Sequence, residues 1–425
     1  MNGVLEAEVR VRARVEAELA RELATRGDAR LRAEDEDWVY QLVGRLVGEE
    51  QQTGAIDLDR RSWEDLYRRV FGSVTPLGPL AEYLADPEVE EVRLNGTGAC
   101  FLLKQGRRIA VDPPFADERR LVDLVHWYTD GAGTARLDRA SPTVTLTLPD
   151  GSRLHAALSP PARPMSVTIR RHPPARFNSL ADLAAAGFLP QGLVAFLAAA
   201  VRGRANMLVA GGTGTGKTTF VRVLCGLIPP EERVVTIEDH AELHLWRQRQ
   251  DCISLEARAS NSEGRGAISI QMLVHEALRM SPDRIVIGEV RGPEALDLLD
   301  AMNTGHPGSV CTLHSETLRD TLPRLGRLAL RNPQAPRSEA LLAEIVRTVD
   351  LVLHLGVSTS SGVRRRRLRS VGCVTGIEAG QPVVEELVRW DGSRWEAVGT
   401  VAGMPDRLLA KLAEVSAPTS LLERL

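Results

Sequence analysis

The residues best suited to chemistry form one run, Gly211-Gly212-Thr213-Gly214-Thr215-Gly216-Lys217-Thr218, followed by Thr219. The run fits GxxxxGK[ST] without a mismatch, the pattern of a loop that cradles nucleoside triphosphate. Glycine takes backbone angles closed to other residues, which lets successive N–H groups turn inward around phosphate oxygens. A helix beginning at Lys217 would point its positive end at the same oxygens. Lys217 brings a compact charge to the β- and γ-phosphates of ATP, and the Thr218 hydroxyl is placed to ligate Mg2+. The basic residues of this chain are almost all arginine; only Lys104, Lys217 and Lys411 are lysine. A lysine kept at this point indicates that the broader guanidinium does not fit.

Two apolar runs end in acids that can complete such a site. Arg284-Ile285-Val286-Ile287-Gly288-Glu289 reads as a strand lying directly beside that of the glycine loop. Glu289 at its tip is the candidate to polarise an attacking water or help hold Mg2+. Thr236-Ile237-Glu238-Asp239, with Glu242 just beyond, is the second, and Glu238 is the candidate to orient the water or the metal shell. Carboxylates that merely cap helices satisfy the same spacing, so spacing alone leaves both readings open. His306 and His314 flank Asn303-Thr304-Gly305 and Gly308-Ser309. Two histidines in one glycine-rich segment read as sensing γ-phosphate or relaying its loss. Zinc is poorly supported, because these histidines and Cys311 lack a fourth ligand at a usual spacing.

Elements must hold these groups in place. Strand Asn206–Ala210 leads into the loop and an amphipathic helix, Thr218–Leu224, leaves it. Further strands at 233–237 and 284–287, alternating with helices such as 193–200, predict a parallel sheet covered on both faces. Residues 1–75 read as helices, with Leu19 and Leu23, Trp38 and Leu42, and Val39 and Val43 each four apart. Pro76, Gly78 and Pro79 mark a boundary. From 76 to 171 the pattern is mixed, with a helix over 80–84 and another over 118–128. Strand-like runs fall at 91–94, 101–104, 143–148, 153–158 and 166–170, with a turn at Asp150-Gly151. This predicts an α+β domain, then a proline-rich linker over 172–186 and a P-loop domain over 187–425 with a tail of helix and strand. The run Arg364–Arg367 reads as a solvated loop or a site for acidic lipid headgroups.

Composition bounds the function. The chain has 425 residues, 43% hydrophobic and 26% charged, with net charge -3 and 4% aromatics. These values fit a soluble protein of two or three domains and give no basic groove or stacking platform for nucleic acid. Five cysteines without a CxxC pair indicate a reducing compartment rather than a disulfide framework. Met1–Arg14 alternates charge and lacks the apolar core of a signal peptide, and the apolar stretch 193–201 is far short of a membrane span.

The motifs together resemble the secretion ATPases of type II and type IV secretion and type IV pili, most closely the CpaF/TadA branch of tight-adherence pili. Residues 277–292 (ALRMSPDRIVIGEVRG) are similar to that branch's Walker B region. Residues 301–315, holding both histidines, resemble its histidine box, and 236–243 its aspartate box. Similarity runs from about 76 to 355. Pro307 stands where an acid is common and Cys311 where threonine is usual. The resemblance implies a RecA-like α/β P-loop domain preceded by a PAS-like α+β domain and a helical segment. It implies ATP and Mg2+ as ligands and a homo-hexamer working with inner-membrane platform proteins. The expected location is cytoplasmic, peripheral to the inner face of the membrane, without nucleic acid. It also implies that arginines of the N-terminal domain reach the nucleotide, with Arg170 and Arg171 preferred to Arg153, and that His314 serves the same site. A type IV secretion or conjugation ATPase shares these motifs, and a non-hydrolysing ATP-binding scaffold is the reading from another class.

Overall fold

The structure is a computed structural model that describes residues 2–26, 35–52, 59–75, 78–80, 83–84, 86–104, 107–132, 137–148, 151–171, 177–258, 260, 265–360, 363–400 and 403–415. The chain divides into two compact units, the first running to Pro174 and the second taking up the chain at Ala175.

The first unit opens with three helices, α1 (Asn2–Arg26), α2 (Glu36–Gln52) and α3 (Arg60–Val74). Apolar residues at helical spacing make one stripe on each. Ala7, Val11, Val15 and Leu19 of α1 meet Val39, Leu42, Val43, Leu46 and Val47 of α2 and Leu66, Tyr67 and Val70 of α3. Ion pairs Arg10–Glu50 and Arg14–Glu49 line the rim, where exposure keeps their contribution small. The α+β part follows as β1 (Val89–Asn95), β2 (Ala99–Lys104), β3 (Arg107–Val111), α4 (Glu118–Ala132), β4 (Thr143–Thr147), β5 (Arg153–Ala157) and β6 (Ser166–Arg170). Its strands form one sheet in the order β3-β2-β1-β6-β5-β4, and every neighbouring pair is antiparallel. Leu121, Leu124, Val125 and Trp127 of α4 share its core with Val92, Leu94, Leu154, Val167 and Ile169. The sequence does not announce β3, whose residues are mostly exposed and which forms an arginine-bearing edge. Pro76, Asp150 and part of the expected 80–84 helix lie outside the described residues.

The second unit begins inside the expected linker. Residues 172–176 lie outside the described residues, but α5 (Leu180–Ala185) is a capped helix whose Leu180 and Leu183 enter the core. Next come α6 (Gly192–Arg202), β7 (Met207–Gly211), α7 (Lys217–Cys225), β8 (Val234–Glu238), β9 (Cys252–Glu256), α8 (Ile270–Leu278), β10 (Arg284–Val290), α9 (Glu294–Asn303) and β11 (Val310–Leu313). The chain continues through α10 (Thr321–Ala329), α11 (Ser338–Thr348), β12 (Leu351–Ser360), β13 (Val363–Glu378), β14 (Gln381–Trp390), β15 (Trp395–Ala397) and α12 (Asp406–Glu414). One sheet takes all nine strands, ordered β15-β14-β13-β12-β7-β11-β10-β8-β9. From β12 to β9 each neighbouring pair is parallel.

Side-chain alternation explains the continuous apolar runs. Met207 and Val209 of β7 join Val234 and Val286 in the core beneath α6 and α7. Leu208 joins Val235, Ile237, Ile285 and Ile287 beneath α8, α9 and α10. A strand buried on both faces has no polar alternation to display. The segment read as a tail is part of this sheet: β12 pairs with β7 itself, from Leu351 opposite Met207 to Leu355 opposite Gly211. The five cysteines are buried and free.

Candidate active site

The glycine loop leaves the carboxyl end of β7, where a parallel sheet gathers its strand tips. Gly211 has φ 149°, and a Cβ there would come 2.5 Å from the Leu355 carbonyl oxygen of β12, so only glycine fits. Gly216 has φ 96° and stands as N-cap of α7 in the left-handed region. Thr215 Oγ1 donates to Gly212 O at 2.9 Å and fixes the loop's inner turn. Gly212, Thr213 and Gly214 are exposed at the apex, and Thr219 is half-buried on the first turn of α7.

Lys217 Nζ donates to the carbonyl oxygens of Gly211 and Gly212, both at 2.9 Å. Burial pushes its pKa down, and the nearby Glu289 carboxylate opposes that shift. An ammonium held over the loop, partly desolvated, is prepared to meet anionic oxygen. Thr218 Oγ1 donates to Glu242 Oε2 at 3.3 Å.

Glu289 sits half-buried near the tip of β10. Its Oε2 accepts from Arg291 Nη2 at 2.7 Å, and its Oε1 lies 3.0 Å from His314 Nε2. Arg291 also donates to Asp239 Oδ2 at 2.8 Å, tying the tips of β8 and β10 together. Burial first, then the charge of Lys217, pushes the His314 pKa below its ordinary value, while Glu289 pulls it up. The His314 contact is a close approach and not a hydrogen bond, since Glu289 Oε1 is buried without a hydrogen-bond partner among the described residues.

Two expectations need correction. The strand carrying Glu289 does not lie beside the loop strand: β11 stands between β7 and β10. It carries Thr312 and ends one residue before His314, so His314 bridges from the loop strand's neighbour to Glu289. His306 is not at this end at all. It precedes β11 at the amino ends of the strands, where its Nδ1 lies 2.7 Å from Pro282 O. The four residues of β11 put it roughly 13 Å from His314 along the sheet. The structure places Glu238, expected to orient the water or the metal shell, at the tip of β8 with 3% exposure. Its Oε1 accepts from the N–H groups of Glu242 and Leu243 at 3.0 and 3.1 Å. Burial pushes its pKa up to about 8 against those two bonds. The carboxylate that reaches Thr218 is Glu242, and Glu238 holds the turn that presents it.

Mg2+ suits this donor set. The Thr218 hydroxyl and Glu242 carboxylate are hard oxygen ligands side by side, with Glu289 on the neighbouring strand tip. Among the described residues no three His, Cys, Asp or Glu side chains converge as a self-sufficient metal site. An ion that takes further oxygens from phosphate and water needs no such cage.

In the first unit, Arg170 ends β6, exposed, opposite Glu91 on one side and Arg153 on the other. Arg171 is half-buried, with Nη1 donating to Asp86 O at 2.5 Å. The contribution that sequence reasoning missed is Arg366. The arginine run is no loop: β12 continues past the glycine loop as an arm paired with β13, and Arg366 Nε donates to Gly214 O at 2.9 Å. Strand alternation separates Arg366 from Arg365 and Arg367, but nothing in the sequence says what it touches.

A loop of this form at the tip of a parallel strand, with lysine and threonine opening the next helix, defines a P-loop nucleoside triphosphate-binding domain. The particular family follows from comparison. The type II/IV secretion system protein family matches residues 75–407, and the chain belongs to that family of secretion ATPases. A putative conjugal transfer protein of Mycobacterium tuberculosis is 37% identical over 287 residues, covering 66% of this chain and 78% of its own. The protein VirB11 of Agrobacterium fabrum is 32% identical over 310 residues, covering 65% and 87%. Among solved structures, the VirB11 ATPase of Brucella suis is similar at 28% identity, with TM-score 0.38 over 72% of this chain and 96% of its own. The Legionella pneumophila ATPase DotB is similar at 18% identity, with TM-score 0.49 over 72% and 82%. No helix among the described residues is long and apolar enough to cross a membrane.

Proposed function

We propose that this chain hydrolyses ATP to power assembly or export of pilin-like substrates through an inner-membrane platform. The observation that carries the reading is the closeness of Lys217, Glu289 and His314, a cation for the phosphate tail beside a carboxylate held by Arg291. Glu289 polarises the attacking water, with Arg291 holding Oε2 while the buried Oε1, close to His314, has no hydrogen-bond partner among the described residues. Thr218, Glu242 and Glu289 are the residues that would hold Mg2+, with Glu238 fixing the turn that carries Glu242. When bound, the ion neutralises charge on the β- and γ-phosphate oxygens. Arg170 and Arg171 are the arginines proposed to approach the nucleotide from the first unit. Arg170 is the better placed of the two, because it is exposed while Arg171 is already bonded to the backbone. An arginine arriving at γ-phosphate supplies roughly 10³–10⁵ in rate.

Six such chains in a ring, on the cytoplasmic face of the membrane, would convert domain closure into displacement of the platform. The pilus reading rests on the likeness of the Walker B, histidine and aspartate segments to the CpaF/TadA branch. The names of the relatives, conjugal transfer protein and VirB11, favour a second reading, a type IV secretion ATPase with the same site. Deleting the gene in its native host and scoring surface pili against DNA or effector transfer separates the two. Hydrolysis itself is tested by phosphate release from purified chain with Mg2+ and ATP. Wild type turns over and Lys217→Ala does not; normal turnover in that variant would remove the loop from the mechanism.

A further inference from the structure

The β12–β13 arm stands on one flank of the glycine loop and the acid cluster on the other. In the sheet, β12 neighbours β7 on one side, while β11 and then β10 lie on the other. Lys217 feels the charges of Glu289 and Arg291, and His314 feels Lys217. The γ-phosphate end of a nucleotide in this loop therefore faces β11 and β10. The flank toward β12 faces the part of the nucleotide that ATP and ADP share.

Arg366 occupies that flank. It pairs with Val357 across the arm, and its Nε is fixed on Gly214 O. Its stem runs beside the loop's last glycine: a Cβ on Gly216 would lie 3.7 Å from Arg366 Cδ and 3.8 Å from Phe188 Cε2. Phe188 is itself anchored, packed on Phe220 of α7 with its carbonyl accepting from the Leu368 N–H. The terminal nitrogens of Arg366 donate to none of the described residues, so the guanidinium keeps a donor fork for an anion. The next arginines do otherwise. Arg367 donates to Gly187 O and lies over the Trp390 ring, 4.2 Å from its centroid, and Arg365 is exposed on the arm's other face.

We propose that Arg366 is a nucleotide-binding residue in cis, its Nε held by the loop and its terminal nitrogens donating to a phosphate oxygen common to ATP and ADP. A guanidinium suits this because one nitrogen can be fixed while two others reach oxygen, which an ammonium cannot do. The proposal rests on the P-loop reading above.

The test is calorimetric titration of the full chain with Mg2+ and either ADP or a non-hydrolysable ATP analogue, with ATP turnover alongside. Arg366→Ala weakens both ligands by the same factor, about tenfold or more, as for loss of a charged hydrogen bond. KM rises by a similar factor while kcat stays within about twofold, the signature of binding equal in ground and transition states. Arg366→Lys, which keeps the stem and the charge, recovers part of the affinity. Arg365→Ala removes the same charge from the arm and leaves binding unchanged. If Arg366→Ala melts below wild type without nucleotide, Arg366→Lys carries the comparison, with an intermediate and equal loss for both ligands. Unchanged ADP affinity in these variants, or an equal loss in Arg365→Ala, overturns the proposal while Lys217→Ala still abolishes binding. A wild-type chain that binds neither ligand overturns the P-loop reading and this proposal together.

Discussion

Glu238 offers a test in which stability, pH and function separate. Its carboxyl is buried, accepts two backbone N–H bonds from the 242–243 turn, and has a pKa pushed from 4.5 up to about 8 by burial. The folded chain thus holds this proton more tightly than the unfolded chain. The resulting stabilisation is full below about pH 4.5 and is lost as pH rises through about 8. At roughly 1.4 kcal/mol for each unit of pKa difference, the loss is on the order of 5 kcal/mol. Glu238→Gln keeps an acceptor oxygen for the turn and has no proton to lose. It should match wild type at pH 5 within about 1 kcal/mol and exceed it by a few kcal/mol at pH 9. Glu238→Ala leaves both N–H groups without an acceptor, at about 1–3 kcal/mol each, and is less stable than Glu238→Gln at every pH. Denaturant titration at pH 5, 7 and 9 measures these differences. Amide exchange in the peptide covering residues 236–245 assigns them to the turn, which matters in a chain of more than one unit. Equal behaviour of the Ala and Gln variants, or wild-type stability that is flat from pH 5 to 9, would refute the reasoning. If Glu238 acts by holding Glu242, Glu238→Gln also retains most of its turnover at pH 7; a hundredfold fall, as for loss of a catalytic base, would assign it to the water instead.

Other outcomes follow from the same geometry. Gly211→Ala forces a methyl against the Leu355 carbonyl and should destabilise the second unit by about 2 kcal/mol or more in thermal or denaturant unfolding. Arg284 is fully buried against both oxygens of Glu232, so Arg284→Ala leaves that buried carboxylate only its longer pair with Arg204 at 3.5 Å and should cost about 3 kcal/mol by the same measurement. Glu242→Gln should weaken the dependence of turnover on Mg2+ while leaving metal-free ADP binding intact, as read by titrating the metal at fixed nucleotide.

The fold class was legible because its signals are local. A strand buried on both faces reads as an unbroken apolar run, and a glycine loop between such a strand and a helix has one common use. What stayed hidden depends on long-range pairing. The run 284–289 reveals an acid-tipped strand but not that β11 separates it from β7, because sheet order is set by crossovers rather than by the strands' own residues. Glu238 and Glu242 are both acids near a strand end; only the turn's backbone N–H groups decide which carboxylate holds the turn and which reaches Thr218. The two histidines look paired in sequence, yet a short strand between them sends one to each end of the sheet. Arg366 had only charge to show, and its neighbours carry the same charge.

The central claim is that a carboxylate beside the glycine loop turns a bound triphosphate into a hydrolysed one. The direct measurement is Glu289→Gln, followed by binding and single-turnover phosphate release on the same preparation. The account predicts ATP affinity close to wild type with release slowed at least a hundredfold, so that intact ATP stays trapped on the protein. Full-rate release from that variant would contradict it.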